Sequence, residues 1–338
     1  MNKQPTILIT GGAGYIGSHV GYALAQQGYQ IVILDTFIHN QLCNPSWATI
    51  IKADYANEEI LKNIFTMYTI KAVVHCAALI EVGQSVTSPA PYYETNVAKT
   101  ITLLKTMVEY GIKKCIFSSS CSVYGNPEFL PLTEDHKKNP ISPYGKTKLI
   151  VEMILQDFQS GYGLEYVCLR YFNAAGALPE EGLGEQHIPE SHLIPCALYA
   201  ALDQTPFTIF GNDYETKDGT AIRDYVHVLD IAQAHVQALL HLNKGNPSDC
   251  FNLGTGHGFS IKEVIEMIEK VCYTKIKTIY AKRRAGDAPL LIADPTRAET
   301  ILDWKRNFSQ LEYIIRSAHA FKLYHNNLLK EKSIEIGQ

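Results

Sequence analysis

The 338-residue chain has no C-x-x-C pair, no long apolar run, no excess of basic charge and no internal repeat. Each absence excludes a class. Its eight cysteines, at positions 43, 76, 115, 121, 168, 196, 250 and 272, fall largely in apolar strand-like runs such as "VVHCAA" and "YVCLRYF". They read as buried thiols of a reducing compartment, not as a disulfide framework, and no metal ligands are assigned. No apolar run approaches the roughly 18 residues of a membrane span. The N-terminus enters "TILIT" with no signal-peptide pattern. These features predict a cytoplasmic protein with no membrane partner. A formal net charge of −4 and only two short basic clusters, Lys113-Lys114 and Lys282-Arg283-Arg284, argue against nucleic acid. With 46% hydrophobic and 19% charged residues, the chain has the composition of a globular protein. Its length allows one large domain or two ordinary ones.

What is present is a rhythm. Short, near-continuously apolar runs at 6–10, 31–35, 48–54, 72–78, 115–120 and 166–172 alternate with amphipathic stretches. The run Tyr15–Gln27 is one such stretch, closed by Gly28 as a C-terminal cap. Strand–helix alternation of this kind predicts an α/β fold, a Rossmann-like doubly wound parallel sheet buried on both faces. After Phe172 the rhythm breaks into "NAAGALPEEGLGEQHIPESH", which reads as a long connection. Isolated strands ("FTIFG", "KIKTIYAK") and capped helices follow, with "SIKE" (260–263) and "SQLE" (309–312) fitting the capping-box pattern. The expected division is residues 1–172 as a nucleotide-binding domain, with a return of the chain around 223–240. Residues 173–338 would form a smaller C-terminal α/β substrate lobe. A ligand crevice is expected between them, over the carboxyl ends of the parallel strands.

"ILITGGAGYIGSHV" sets Gly12-x-Gly14-x-x-Gly17, also read Gly11-x-x-Gly14-x-x-Gly17, directly after a strand and opening a helix. Glycines there let backbone N–H groups and the helix N-terminus approach a pyrophosphate. Asp35 closes the next strand, where a carboxylate accepts bonds from ribose hydroxyls and repels a 2′-phosphate. NAD is therefore expected over NADP. Asp54 is either a neighbour of the adenine or a solvated strand-end carboxylate.

Three Tyr/Lys pairs stand at i, i+4: Tyr110/Lys114, Tyr144/Lys148 and Tyr273/Lys277. Only Tyr144/Lys148 follows a serine-bearing strand end, "FSSSCSVYG", with Ser120 lying 24 residues before the tyrosine. On a helix Lys148 shares a face with the phenol. Its ammonium is expected to lower the phenol's pKa.

Together "TGGAGYIG", "FSSSCSVYG" and "SPYGKTK" resemble the extended short-chain dehydrogenase/reductase family. "LRYFNAAGA", "FGNDYETKDGTAIRDYVHVLDIAQAH", "NLGTGHGFS" and "RRAGDAP" are similar to its members that invert C4 of a UDP-hexose, over nearly the whole chain. The resemblance implies an isomerase that interconverts UDP-glucose and UDP-galactose through transient hydride transfer to tightly held NAD. It implies Tyr144 as general acid/base, Lys148 as its modulator and a holder of the nicotinamide ribose, and Ser120 as partner of the sugar 4-hydroxyl. It assigns Gly11, Gly14, Tyr15, Ile16, Gly17, Asp35 and Asp54 to the cofactor. Asn173, Leu193, Phe210, Arg223, Arg284 and Asp287 are assigned to the UDP-sugar. A homodimer is also implied. Read without the family, Arg223 and Asp224 could equally form a structural ion pair.

Three departures from the family pattern matter. Ile80 stands where many bacterial relatives carry a lysine, which puts one cofactor contact in doubt. Only positions 36–53 separate Asp35 from Asp54, a shorter cover for an adenosine. Leu291 replaces the tyrosine that typically narrows the sugar site, so it either widens the gate for N-acetylated sugars or packs in the core with Leu290. UDP-pentoses fit the same machinery, as does a uronic acid if a group for its carboxylate exists. A nucleotide-sugar 4,6-dehydratase would need an acid pair where Cys121 and Ser122 stand. An NAD-sensing scaffold could dispense with Tyr144 or Lys148, and both are present.

Overall fold

The computed structural model describes residues 4–38, 45–187, 189–284 and 288–336. Its strands are β1 (Thr6–Thr10), β2 (Gln30–Asp35), β3 (Ala48–Lys52), β4 (Ile70–His75), β5 (Lys114–Ser120), β6 (Glu165–Tyr171) and β7 (Asn173–Ala175). They continue with β8 (Phe207–Phe210), β9 (Ile222–His227), β10 (Asp249–Leu253), β11 (Gly258–Ser260), β12 (Thr278–Ala281) and β13 (Leu290–Leu291). The helices are α1 (Tyr15–Gln26), α2 (Glu58–Met67), α3 (Val82–Thr87), α4 (Ala90–Tyr93), α5 (Lys99–Glu109) and α6 (Pro143–Tyr162). After these come α7 (Leu193–Asp203), α8 (Val228–Asn243), α9 (Ile261–Cys272), α10 (Thr296–Ile301) and α11 (Leu311–Ile336). Among the described residues no helix is long and apolar enough to cross a membrane.

Seven strands form one parallel sheet in the order β10-β6-β5-β4-β1-β2-β3. The direction of winding reverses between β1 and β4, which opens a crevice at the carboxyl ends of those strands. Strand alternation divides the core in two. Ile7, Ile9, Ile31 and Ile33 face one layer with Val20 and Leu24 of α1 and Ile231 and Leu239 of α8. Leu8, Val32, Leu34 and Val73 face the other, against α2, α5 and α6 through Leu61, Leu103, Met107, Val151 and Leu155. Residues facing both layers are apolar, so these strands read as unbroken hydrophobic runs.

The chain leaves the sheet after β6, and β9 belongs to a four-stranded sheet with β7, β11 and β13. It then crosses back with α8 and β10. That return extends beyond the expected 223–240, because Phe251 and Leu253 supply the sheet's last buried strand. The second lobe packs α7, α9 and α11 around Leu198, Ile209, Ile268 and Ile314, with β8 and β12 as a parallel pair at its edge.

The "SIKE" capping box is present: Ser260 accepts from the Glu263 N–H and the Glu263 side chain accepts from the Ser260 N–H. "SQLE" is not one. Ser309 lies outside the helix that begins at Leu311, and its hydroxyl donates to the buried Asp230 at 2.5 Å. The Ser309 oxygen in turn accepts the His227 N–H at 2.9 Å, so the side chain is engaged away from the helix end.

Candidate functional site

The crevice widens into a continuous cavity of about 1260 Å³ running from the β1–α1 turn to the second lobe. At one end the β1–α1 turn is held by close packing. Gly11 has φ +69°, and a Cβ on Gly17 would lie 2.2 Å from the Gly11 carbonyl oxygen. Only glycine lets the helix start this near the strand end, which leaves its N–H groups facing the cavity. Asp35 is anchored there too, accepting from Ala13 N–H at 3.0 Å and Phe37 N–H at 2.8 Å. Its carboxylate is fixed and half-buried at the end of β2. Glycine turn, helix N-terminus and strand-end acid together fit a dinucleotide with a free ribose 2′-hydroxyl.

Gly11, Gly14, Tyr15, Ile16, Gly17, Asp35 and Asp54 all line this end. The Tyr15 hydroxyl is turned away, donating to the Gly176 carbonyl at 2.7 Å and so tying the two lobes. Asp54 is not simply solvated: Lys99 of α5 donates to it at 2.5 Å, and its other oxygen accepts from Ala56 N–H. Lys99 also lines the cavity, while Ile80 lines it without charge. Sequence reasoning did not single out Lys99, because the cation arrives from a helix remote in sequence.

At the centre, β5 delivers Ser120 and α6 delivers Tyr144. Ser142 caps α6, accepting from Gly145 N–H at 3.1 Å, and Pro143 follows at the first helical position. A Cβ on Gly145 would lie 2.5 Å from the Ser122 carbonyl, so that glycine sets how near the helix comes to the strand end. Tyr110 and Tyr273 cap helix C-termini and are exposed, so neither rival pair shares a helix face. Ser120 accepts from Ser122 N–H and donates to the Ser122 hydroxyl, both at 3.2 Å.

Lys148 is not among the cavity-lining residues. Its ammonium is buried one layer behind, 5.8 Å from the Tyr144 ring centre, and donates to the Ser118 carbonyl at 2.7 Å. Burial brings it down to about 8, opposed by Cys76 and Glu152. Burial pushes the Tyr144 phenol up to about 12, with Ser120 pulling the other way. The expected lowering of the phenol by the ammonium is therefore not found; the Ser120 hydrogen bond is what opposes burial. Desolvation of the phenolate is the larger effect.

Beyond Tyr144 the cavity is lined by Asn173, Leu193, Phe210, Arg223, Arg284 and Leu291. Asp287 lies outside the described residues. Arg223 and Asp224 form no ion pair among the described residues. They alternate faces of β9, and Asp224 is saturated by Thr255 N–H and hydroxyl, Gly256 N–H and Ala293 N–H. Arg223 is left facing the cavity. Arg284 stacks its guanidinium 4.1 Å from the Phe210 ring centre. Leu291 both lines the cavity and packs with Cys121, Tyr124 and Phe172, so its two readings are compatible. Cys121, at the position a dehydratase acid would occupy, is buried with its thiol pushed up to about 12.

Residues 7–254 match the NAD dependent epimerase/dehydratase family. Among similar proteins is a UDP-glucose 4-epimerase of Halalkalibacterium halodurans, 48% identical over 92% of this chain and 94% of that one. The solved UDP-glucose 4-epimerase of Brucella ovis in complex with NAD superposes with a TM-score of 0.90 at 44% identity, covering 93% and 97% of the two chains. The UDP-Glc/GlcNAc 4-epimerase of Campylobacter jejuni does so with a TM-score of 0.80 at 38% identity, covering 94% and 99%. Fold, glycine turn and family match agree: the chain belongs to the NAD dependent epimerase/dehydratase family.

Proposed function

We propose that this chain is an NAD-dependent isomerase that inverts C4 of a UDP-hexose, interconverting UDP-glucose and UDP-galactose. The observation that carries the reading is Tyr144 and Ser120 at the middle of one cavity, between a dinucleotide cradle and two cavity-facing arginines. When bound, NAD would supply the acceptor for the C4 hydride and, once reduced, its donor, held by the turn of Gly11, Gly14 and Gly17 and by Asp35. Tyr144 takes the proton of the sugar 4-hydroxyl and later gives it back. Ser120 orients that hydroxyl. Lys148 holds positive charge behind the phenol and supports the backbone of β5 through Ser118.

Inversion requires the 4-keto sugar to present its other face, so the nucleotide must be gripped and the sugar left loose. Arg223 and Arg284 suit the pyrophosphate, and Asn173 a phosphate or sugar oxygen. Leu291, packed with Cys121, Tyr124 and Phe172, forms part of the cavity wall. Leu291 leaves room at that wall, which favours turnover of UDP-N-acetylglucosamine as well, as the name of the Campylobacter relative says of that enzyme.

Incubating purified protein with UDP-glucose, adding no cofactor, is expected to yield UDP-galactose on chromatography. No turnover, or a 4-keto-6-deoxy product, overturns the reading. A homodimer is part of the proposal. Ile101 on α5 and Met153 on α6 expose apolar surface on neighbouring helices, which a second copy would cover. Sedimentation should give twice 37.7 kDa. The seven described cysteines are all free thiols, which supports a cytoplasmic setting.

A further inference from the structure

The connection between β7 and α7, a plain spacer in sequence, folds four metal-ligating side chains into one corner of the cavity wall. Glu185, His187, Glu190 and His192 each place a ligand atom within 4.8 Å of all the others. The Nδ1 atoms of His187 and His192 converge on the same oxygen, Glu185 Oε1, at 3.3 and 2.5 Å. They lie 3.9 and 3.6 Å from Glu190 Oε1. A tetrahedral ion bound at about 2.0–2.1 Å requires ligand–ligand edges of about 3.3–3.4 Å. Of the six edges of such a tetrahedron these distances describe four: 3.3 and 3.6 Å lie close to the requirement, 3.9 Å is longer, and 2.5 Å is a direct hydrogen bond that an ion would open.

Hydrogen bonding alone does not satisfy the corner. Among the described residues Glu190 Oε2 is buried with no hydrogen-bond partner, His187 Nδ1 meets Glu185 Oε1 at 3.3 Å without forming a well-aligned hydrogen bond, and the Glu190 side chain is only 8% exposed. Glu190 Oε1 accepts the N–H groups of Ser191 and His192, which fixes the carboxylate in place and leaves its second oxygen over. A buried unpaired oxygen on an ionised group is costly unless a cation meets it. Two imidazoles and two carboxylates suit a borderline divalent ion. Magnesium and calcium prefer all-oxygen shells, and the pair of carboxylates balances a charge of +2.

We propose that Glu185, His187, Glu190 and His192 form a tetrahedral zinc site in the wall of the substrate cavity. The ion ties Glu185 and His187 to Glu190 and His192 immediately before α7. It thereby steadies Leu193 and the Ser191 carbonyl toward which Arg284 points at 3.5 Å. It takes no part in proton or hydride transfer. The site lies in the same cavity as the proposed reaction, but its test reads metal, not turnover, so the two readings can fail separately.

Full-length protein, stripped with a chelator and dialysed, is titrated with ZnCl₂ against a chromophoric competitor, and a parallel sample is loaded with Co²⁺. One Zn²⁺ per chain is expected, with a visible Co²⁺ absorption of tetrahedral intensity. Glu190→Gln and His187→Gln should each weaken Zn²⁺ by about a hundredfold, the upper end of what even supporting residues of metal sites cost. Circular dichroism of both variants shows whether they remain folded, and Glu190→Gln is nearly isosteric. A stoichiometry well below one, or equal affinity in wild type and both variants, overturns the site and leaves a network of ion pairs.

Discussion

Replacing Lys148 with methionine is expected to stabilise the protein near neutral pH while disabling it. Burial brings the ammonium from 10.5 down to about 8, so the native state holds its charge at a cost of about 3 kcal/mol, at 1.4 kcal/mol per pH unit. Methionine removes that cost with similar volume. It also strips the Ser118 carbonyl of its donor, which costs about 1–3 kcal/mol for a buried acceptor. The net gain is about 1 kcal/mol at pH 7. The sign follows from linkage. Below pH 8 native and unfolded chains both hold the proton, and the penalty is fully present. Between pH 8 and 10.5 the unfolded chain binds the proton more tightly, so wild-type stability rises and the advantage of the variant shrinks. Above 10.5 only the lost hydrogen bond remains, and the variant is the less stable protein. Urea midpoints of cofactor-free wild type and variant, taken every half unit from pH 7 to 10.5, should therefore cross. A difference that stays constant with pH, or a variant already weaker at pH 7, refutes the reasoning. Turnover should fall by about 10²-fold or more at pH 7, because the charge behind the phenol is gone, and the gap should narrow above about pH 8 as wild-type Lys148 loses its proton.

Tyr144→Phe should lower kcat by about 10²–10⁴-fold, measured by UDP-galactose formation, while the NAD released on denaturing the protein stays at the wild-type amount per chain. The wild-type rate should decline above about pH 8 as Lys148 loses its proton, a limb absent from the residual rate of the Lys148→Met variant. Leu291→Tyr should cut turnover of UDP-N-acetylglucosamine at least tenfold more than that of UDP-glucose, since one added ring in a packed wall excludes an acetamido group. Arg170→Met should cost about 3–5 kcal/mol and lower the melting temperature by about ten degrees. It would strand Glu152, which Arg170 grips at 2.7 and 2.9 Å in the interior, leaving only the Ser119 hydroxyl as partner.

The doubly wound sheet was legible because its strands are apolar on both faces and its glycine turn precedes a helix. Tyr144 and Lys148 stood out by their place after Ser120. Less visible was β10: "DCFNL" is short, mixed in polarity and separated from its neighbour β6 by the whole of β7 to α8. Period-two alternation in β9 was enough to separate Arg223 from Asp224, although adjacency in sequence suggested a pair. The Ser118 carbonyl, which holds Lys148 back from the cavity, has no signature at all, since a backbone acceptor looks alike at every position. Lys99 reaches Asp54 through long-range packing, which local patterns do not encode, whereas the corner of Glu185 and His192 is a short Glu-x-His-x-x-Glu-x-His run hidden in a stretch that reads as a connection.

The late arrival of β10 has a mechanical consequence. Since β6 waits for a partner that emerges only after β7, α7, β8 and β9 of the second lobe have been threaded, neither lobe is a separable module. Cutting the chain at residue 172 would remove α8 from the sheet face and expose an open strand edge, inviting aggregation. The interleaving also denies the lobes a single hinge. Several crossings and the Tyr15–Gly176 tie hold them together, so a sugar that must turn over during the reaction turns inside a fixed chamber. The freedom that inversion demands belongs to the ligand's tether, and the protein's part is to stay still.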